Sequence, residues 1–125
     1  MRARVRIAAA LLGLCLAALS TAGARGRLRD EVRARYTKHE YRIPMRDGVE
    51  LFTSVYVPKD AGARHRYPIL LTRTPYGVAP YGRDEYRADL GPSEAARREG
   101  FIFAYQDVRG RFMSEGEFED VRPHS

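Results

Sequence analysis

Tryptophan is absent, and cysteine occurs once, at Cys15 inside the first apolar segment. Disulfide frameworks and thiolate metal sites are therefore excluded for the rest of the chain, and a packed core must hold it together. Long apolar runs are also missing. The longest, Ile7–Leu19, has 13 residues, too few for a bilayer span of about 20. There is no H-E-x-x-H, phosphate loop, dinucleotide fingerprint or calcium loop among the 125 residues, so no cofactor or metal is expected.

The leading residues have the three-part form of a secretory signal. Arg2, Arg4 and Arg6 make a positive n-region, Ile7–Leu19 the h-region, and Ala22-Gly23-Ala24 a small-residue cleavage site before Arg25. The expected organisation is a signal peptide over 1–24, a charged, flexible or weakly helical lead-in over 25–35, and a folded portion over 36–125. No stable membrane span is expected after cleavage, and the product is expected to be secreted or periplasmic. Losing the three signal arginines reduces the net charge from +6 to +3. The other arginines are interleaved with acids, as in Arg83-Asp84-Glu85, the pattern of a solvated face. With no basic tract carrying interleaved aromatics, nucleic acid is not an expected partner. The pattern sets no oligomeric state.

What is present is an α/β pattern. Tyr41, Ile43 and Met45 alternate with Arg42 and Arg46, predicting a half-exposed strand, and Pro44 puts it at an edge or a bulge. Asp47-Gly48 signals a two-residue type I′ hairpin. Val49 to Val57 alternates clearly, with Val49, Leu51, Thr53, Val55 and Val57 on one face and Glu50, Phe52, Ser54 and Tyr56 on the other. Tyr67–Thr74, with the unbroken run Ile69-Leu70-Leu71, predicts a strand buried on both faces. A long loop from Gly77 to Pro92 follows. Ser93 then caps a short helix, Glu94–Glu99, which Gly100 ends, and Phe101–Gln106 predicts a second buried strand. The fold class is thus an antiparallel hairpin leading into a βαβ unit of a mostly parallel sheet.

Pro75 fixes its own φ and extends Thr74, which places Tyr76 just beyond a strand's C-terminal end, the edge where open α/β sheets bind ligands. The residues alone allow two readings: a turn tyrosine packed on the sheet, or an aimed hydroxyl donor. Asp107 and Arg109 open a glycine-punctuated loop at the same edge. There Asp107 is placed to accept backbone N–H groups and Arg109 to pair with it. Ser114 stands in F-M-S-E-G, with Phe112 where the first glycine of a nucleophile elbow belongs, so it is not read as a nucleophile. Ser125 has no context. His39, His65 and His124 lack a nearby acid and serine pattern and read as surface residues.

Three motifs in order, P-M-R-D-G (Pro44–Gly48), L-L-T-R-T-P-Y (Leu70–Tyr76) and Q-D-V-R-G-R-x-x-S-E-G-E-F (Gln106–Phe118), resemble the N-terminal part of one α/β-hydrolase group. It is the X-prolyl dipeptidyl-peptidase and cocaine-esterase-like group, which includes α-amino-acid ester hydrolases and cephalosporin acylases. The resemblance runs over essentially all of Tyr36 to His124. It implies a serine hydrolase without cofactor, acting on a small acyl-ester, amide or peptide substrate through a Ser–Asp–His triad. It also implies that Tyr76, at the motif's tyrosine, donates its hydroxyl to the oxyanion hole beside the backbone N–H that follows the nucleophile. The group's elbow and its Asp and His lie beyond the D-V-R-G loop. The chain is therefore expected to be an N-terminal fragment of an α/β-hydrolase fold, inert alone. A different reading is a small exported binding module without catalysis, using the tyrosines of Tyr76 to Tyr86 as a contact surface.

Overall fold

A computed structural model describes residues 23–120. The signal-peptide reading falls outside the described residues except at Gly23 and Ala24, as do His124 and Ser125. Helix α1 occupies 23–35, followed by strands β1 (Tyr36–Pro44), β2 (Glu50–Pro58) and β3 (Ile69–Thr74), helix α2 (Glu94–Glu99) and strand β4 (Ile102–Asp107). The lead-in is thus helical, and its Val32 is buried in the core.

The four strands form one sheet in the order β1-β2-β4-β3. β1 pairs antiparallel with β2 from Tyr36↔Pro58 to Pro44↔Glu50, and β2 antiparallel with β4. β3 and β4 run parallel, from Ile69↔Ile102 to Thr74↔Asp107, so the segment between them is a crossover carrying α2. Ser93 Oγ accepts from Ala96 N–H at 3.2 Å to start that helix. The α/β class and the hairpin-then-βαβ order are those expected. Pro44 sits on edge strand β1, where the missing N–H costs no ladder bond.

Four details differ from expectation. Asp47 does not have positive φ; only Gly48 does, at 83°. Gly48 N–H donates to Met45 O and Met45 N–H to Val49 O. The connection is therefore the three residues 46–48 closed by a left-handed glycine, not a type I′ turn. In β1, the apolar Tyr41 and Ile43 are exposed together with Arg42 and Pro44, while Tyr36 and Lys38 are buried. The strand begins five residues before Tyr41, and its core face is set by Tyr36. β3 is not covered on both faces: the core packs on the face of Leu70, and Ile69 and Leu71, 68% and 53% exposed, point to the other face of a strand with one neighbour among the described residues. Finally, the long loop is not a free surface, since it covers the sheet.

That cover is the core. Val32 of α1 and Val78 and Leu90 of the loop pack on Tyr36, Phe52, Tyr56, Phe103 and Tyr105 from one sheet face. A fully buried Leu or Phe here contributes about 1.5–3 kcal/mol. Tyr81 meets Phe52, and Tyr86 meets Tyr56, edge to face. Burial pushes the Tyr56 phenol up to about 12. Its hydroxyl accepts from Arg87 N–H, and Tyr105 Oη accepts from Gly91 N–H at 2.7 Å.

Lys38 fastens the loop from beneath. Its ammonium is fully buried and donates to the carbonyls of Pro80, Gly82 and Glu85 at 2.7, 2.8 and 2.9 Å. The Glu40 carboxylate is 2.8 Å away and also accepts from Gly82 N–H. A buried cation persists only when paired and hydrogen-bonded, and here the loop supplies the partners. Lys38→Met removes the cation and leaves Glu40 and three carbonyls without it. The expected loss is about 3–5 kcal/mol of stability, read as a lower urea midpoint at constant slope.

Candidate active-site rim

β3 and β4 run parallel, so their C-terminal ends open on one edge, and the turn after each strand carries the chemistry-bearing residues. After β3, Thr74 Oγ1 accepts from Tyr76 N–H at 3.1 Å. Thr74 O accepts from Val108 N–H at 3.2 Å, continuing the parallel ladder one residue past the strands. Pro75 then turns the chain, and Tyr76 projects from the edge with 86% of its surface exposed. Its hydroxyl has no hydrogen-bond partner among the described residues. Of the two readings the residues left open, packing on the sheet is the one this geometry does not match.

After β4 comes the loop 108–118, and Asp107 organises it. The Asp107 side chain is fully buried. Oδ2 accepts from Tyr81 Oη at 3.1 Å and from Met113 N–H at 3.3 Å. One carboxylate oxygen thus ties the loop after β3 to the loop after β4. Burial, reinforced by the bond to Asp107, pushes the Tyr81 phenol above its ordinary value, so Tyr81 remains a neutral donor. Tyr81 Oη in turn accepts from Val78 N–H at 3.4 Å. The expectation that Asp107 accepts a backbone N–H is met at Met113.

The expected Asp107–Arg109 pair is not formed. Arg109 reaches the hairpin turn, placing Nη1 2.7 Å from Asp47 Oδ2 and Nη2 3.1 Å from Oδ1. This two-pronged hydrogen bond holds the Asp47 carboxyl below its ordinary range. Geometry decides the choice: Asp107 points into the core, whereas Asp47 is exposed at the same edge as Arg109. P-M-R-D-G and D-V-R-G are thereby joined, a pairing that sequence separation concealed.

Ser114 is held by backbone. Its Oγ donates to Asp107 O at 2.7 Å and accepts from Phe52 N–H at 2.9 Å. No histidine contacts it among the described residues. His39 stacks on Tyr41, and His65 is exposed in a turn. Beside it, Glu115 N–H donates to Glu50 O, and Glu115 Oε2 accepts from Glu50 N–H at 3.1 Å. S-E-G is therefore a clamp joining the loop to β2. Tyr81 and Tyr86 point inward, which leaves Tyr76 as the exposed tyrosine of the segment proposed as a contact surface.

Asp47, Pro75, Val108, Arg109, Glu117 and Phe118 line an open cavity of about 790 Å³ at this edge. Among the described residues, no group of three or more His, Cys, Asp or Glu side chains is placed to hold a metal ion. No helix there is long and apolar enough to cross a membrane.

Residues 47–125 match the family model of X-Pro dipeptidyl-peptidase (S15 family). The chain belongs to that family. It is 36% identical over 81 residues to the cocaine esterase of Rhodococcus sp. (strain MB1 Bresler), a match covering 61% of this chain and 12% of that protein. Among solved structures it is similar to an α-amino acid ester hydrolase, with 37% identity and a TM-score of 0.56 over 72% of this chain and 15% of the other. It is also similar to an aminopeptidase from a marine sediment Thaumarchaeota archaeon, with 35% identity and a TM-score of 0.53 over 68% and 14%. The chain spans less than a sixth of each of these relatives.

Ser114→Ala removes the acceptor of Phe52 N–H. We expect about 1–3 kcal/mol of lost stability by urea unfolding, and no effect of the kind that deleting a nucleophile has on hydrolysis by the full-length protein.

Proposed function

We propose that these residues form the N-terminal part of an exported serine hydrolase that cleaves ester or amide bonds in small acyl or peptidyl substrates, and that Tyr76 is an oxyanion-hole donor. The observation that carries this is the placement of Tyr76: an exposed phenol on a proline-fixed turn at the C-terminal edge of two parallel strands. That edge is where open α/β sheets place their ligands. A hydroxyl there supplies a hydrogen bond to the oxygen that becomes negative during acyl transfer. Such a donor acts in the transition state more than in the ground state.

The reading assigns no nucleophile to this chain, since Ser114 is bound into the loop. It places the Ser–Asp–His triad in residues that follow, in keeping with the small fraction of each relative that the chain spans. Export is supported by Arg2, Arg4 and Arg6 ahead of the apolar run Ile7–Leu19. Small substrates are supported by the family.

The test is expression of the full-length coding sequence with Tyr76 intact or changed to Phe. The expected product begins at Arg25 and hydrolyses activated esters in a serine-inhibitor-sensitive way. Tyr76→Phe lowers kcat by about 10²–10³, with an unchanged unfolding midpoint. An unchanged kcat contradicts the oxyanion assignment, and turnover by the 125-residue chain alone contradicts the placement of the triad.

A further inference from the structure

Among the described residues, Phe112 is the one non-glycine with positive φ, at 53°. Bulky side chains rarely adopt that backbone. Phe112 follows Arg111 in a turn closed by Ser114 N–H on Arg111 O at 3.0 Å, and turns with a left-handed second residue ordinarily place glycine or asparagine there. The ring is not hidden in the core to compensate, being 57% exposed. Strain of this kind persists only where neighbouring structure imposes it, and it gathers at functional positions.

The ring's contact explains where the strain is used. Gly77, with φ 89°, faces it so closely that an added Cβ would lie 3.0 Å from Phe112 Cε1 and 3.1 Å from Cζ. The neighbouring Arg111 donates from Nε to Pro75 O at 3.2 Å, and its guanidinium lies 5.6 Å from the Phe112 ring centre and 5.0 Å from that of Phe118. Two consecutive residues therefore grip the two residues flanking Tyr76, Arg111 holding Pro75 and Phe112 abutting Gly77. Their own loop is fastened by Asp107 at Met113 and by Ser114.

We propose that Arg111 and Phe112 are positioning residues for Tyr76: they set the height and angle of its turn, and the left-handed backbone of Phe112 is what delivers the ring to Gly77. The proposal rests on the oxyanion reading of Tyr76. Without the brace, the phenol stays on its turn but samples positions away from the developing oxyanion. Substrate binding, made elsewhere, is little affected.

The experiment is a double-mutant cycle in the full-length protein with an activated ester. Phe112→Gly relieves the backbone and deletes the ring, so stability and positioning are separated. We expect kcat to fall about tenfold, KM to stay within about twofold, and the unfolding midpoint not to drop. In a Tyr76→Phe background, the same change should have no further effect on kcat, because Phe112 acts through the hydroxyl already removed. Arg111→Met, at an exposed side chain, is read in the same cycle with the same expected pattern and replaces Phe112→Gly if that variant fails to fold. Equal losses in both backgrounds, or no loss while Tyr76→Phe is impaired, overturn the brace alone. If Tyr76→Phe has no effect, the oxyanion reading falls and the brace with it.

Discussion

A single buried carboxylate oxygen holds the two halves of this rim together. Asp107 ends β4, the strand lying between β2 and β3, so its position is set by the sheet. From there Oδ2 takes one hydrogen bond from the loop after β3, through Tyr81, and one from the loop after β4, through Met113. Burial excludes water that would compete for that oxygen. Oδ1 is buried with no hydrogen-bond partner among the described residues, so the hold is made entirely through Oδ2. Removing the carboxylate would loosen both loops at this point at once, whereas losing either partner loosens one.

Around that point the fold is layered by reach. Lys38 draws the far arm of the long loop onto the sheet through three carbonyls. Arg109 fastens the hairpin turn to the loop after β4, and Ser114 with Glu115 ties that loop to β2. What remains uncommitted is the outer rim, Tyr76 above all. The rigid part consists of backbone and buried polar groups, and the exposed part is a phenol. On the proposed reading of Tyr76 that division matters, because a donor stabilises a transition state only if it does not reorganise at the moment of reaction.

Much of this was legible in the sequence. The hairpin followed by βαβ could be read because each element carries its own local signal: alternation in Val49–Val57, the Ser93 cap, and glycine and proline at the joints. The edge position of Tyr76 followed from Pro75. The three motifs in order disclosed the family. What escaped reading depended on partners distant in the chain. Lys38 sits in Y-T-K-H-E, a stretch that looks solvated, and its burial is set by carbonyls at Pro80, Gly82 and Glu85. Counting back from the expected two-residue turn puts Lys38 opposite Val57, on the wrong face; only the three-residue connection brings it opposite Tyr56. Arg109 was matched to the acid two residues away rather than to Asp47, because proximity in sequence says nothing of which carboxylate points inward. The apolar run Ile69–Leu71 promised burial on two faces, but a face is buried only by a layer packed on it, and the described core covers the face of Leu70 alone in this run. The left-handed Phe112 had no local signal beyond its place two residues before Ser114.

Hydrogen–deuterium exchange on the full-length protein and its Asp107→Ala variant tests this account most directly. The account predicts that amides over 78–87 and 108–116 lose protection together, while the amides pairing β1 with β2 keep theirs. Loss confined to one of the two loops, or no loss in either, would contradict the claim that one carboxylate holds both.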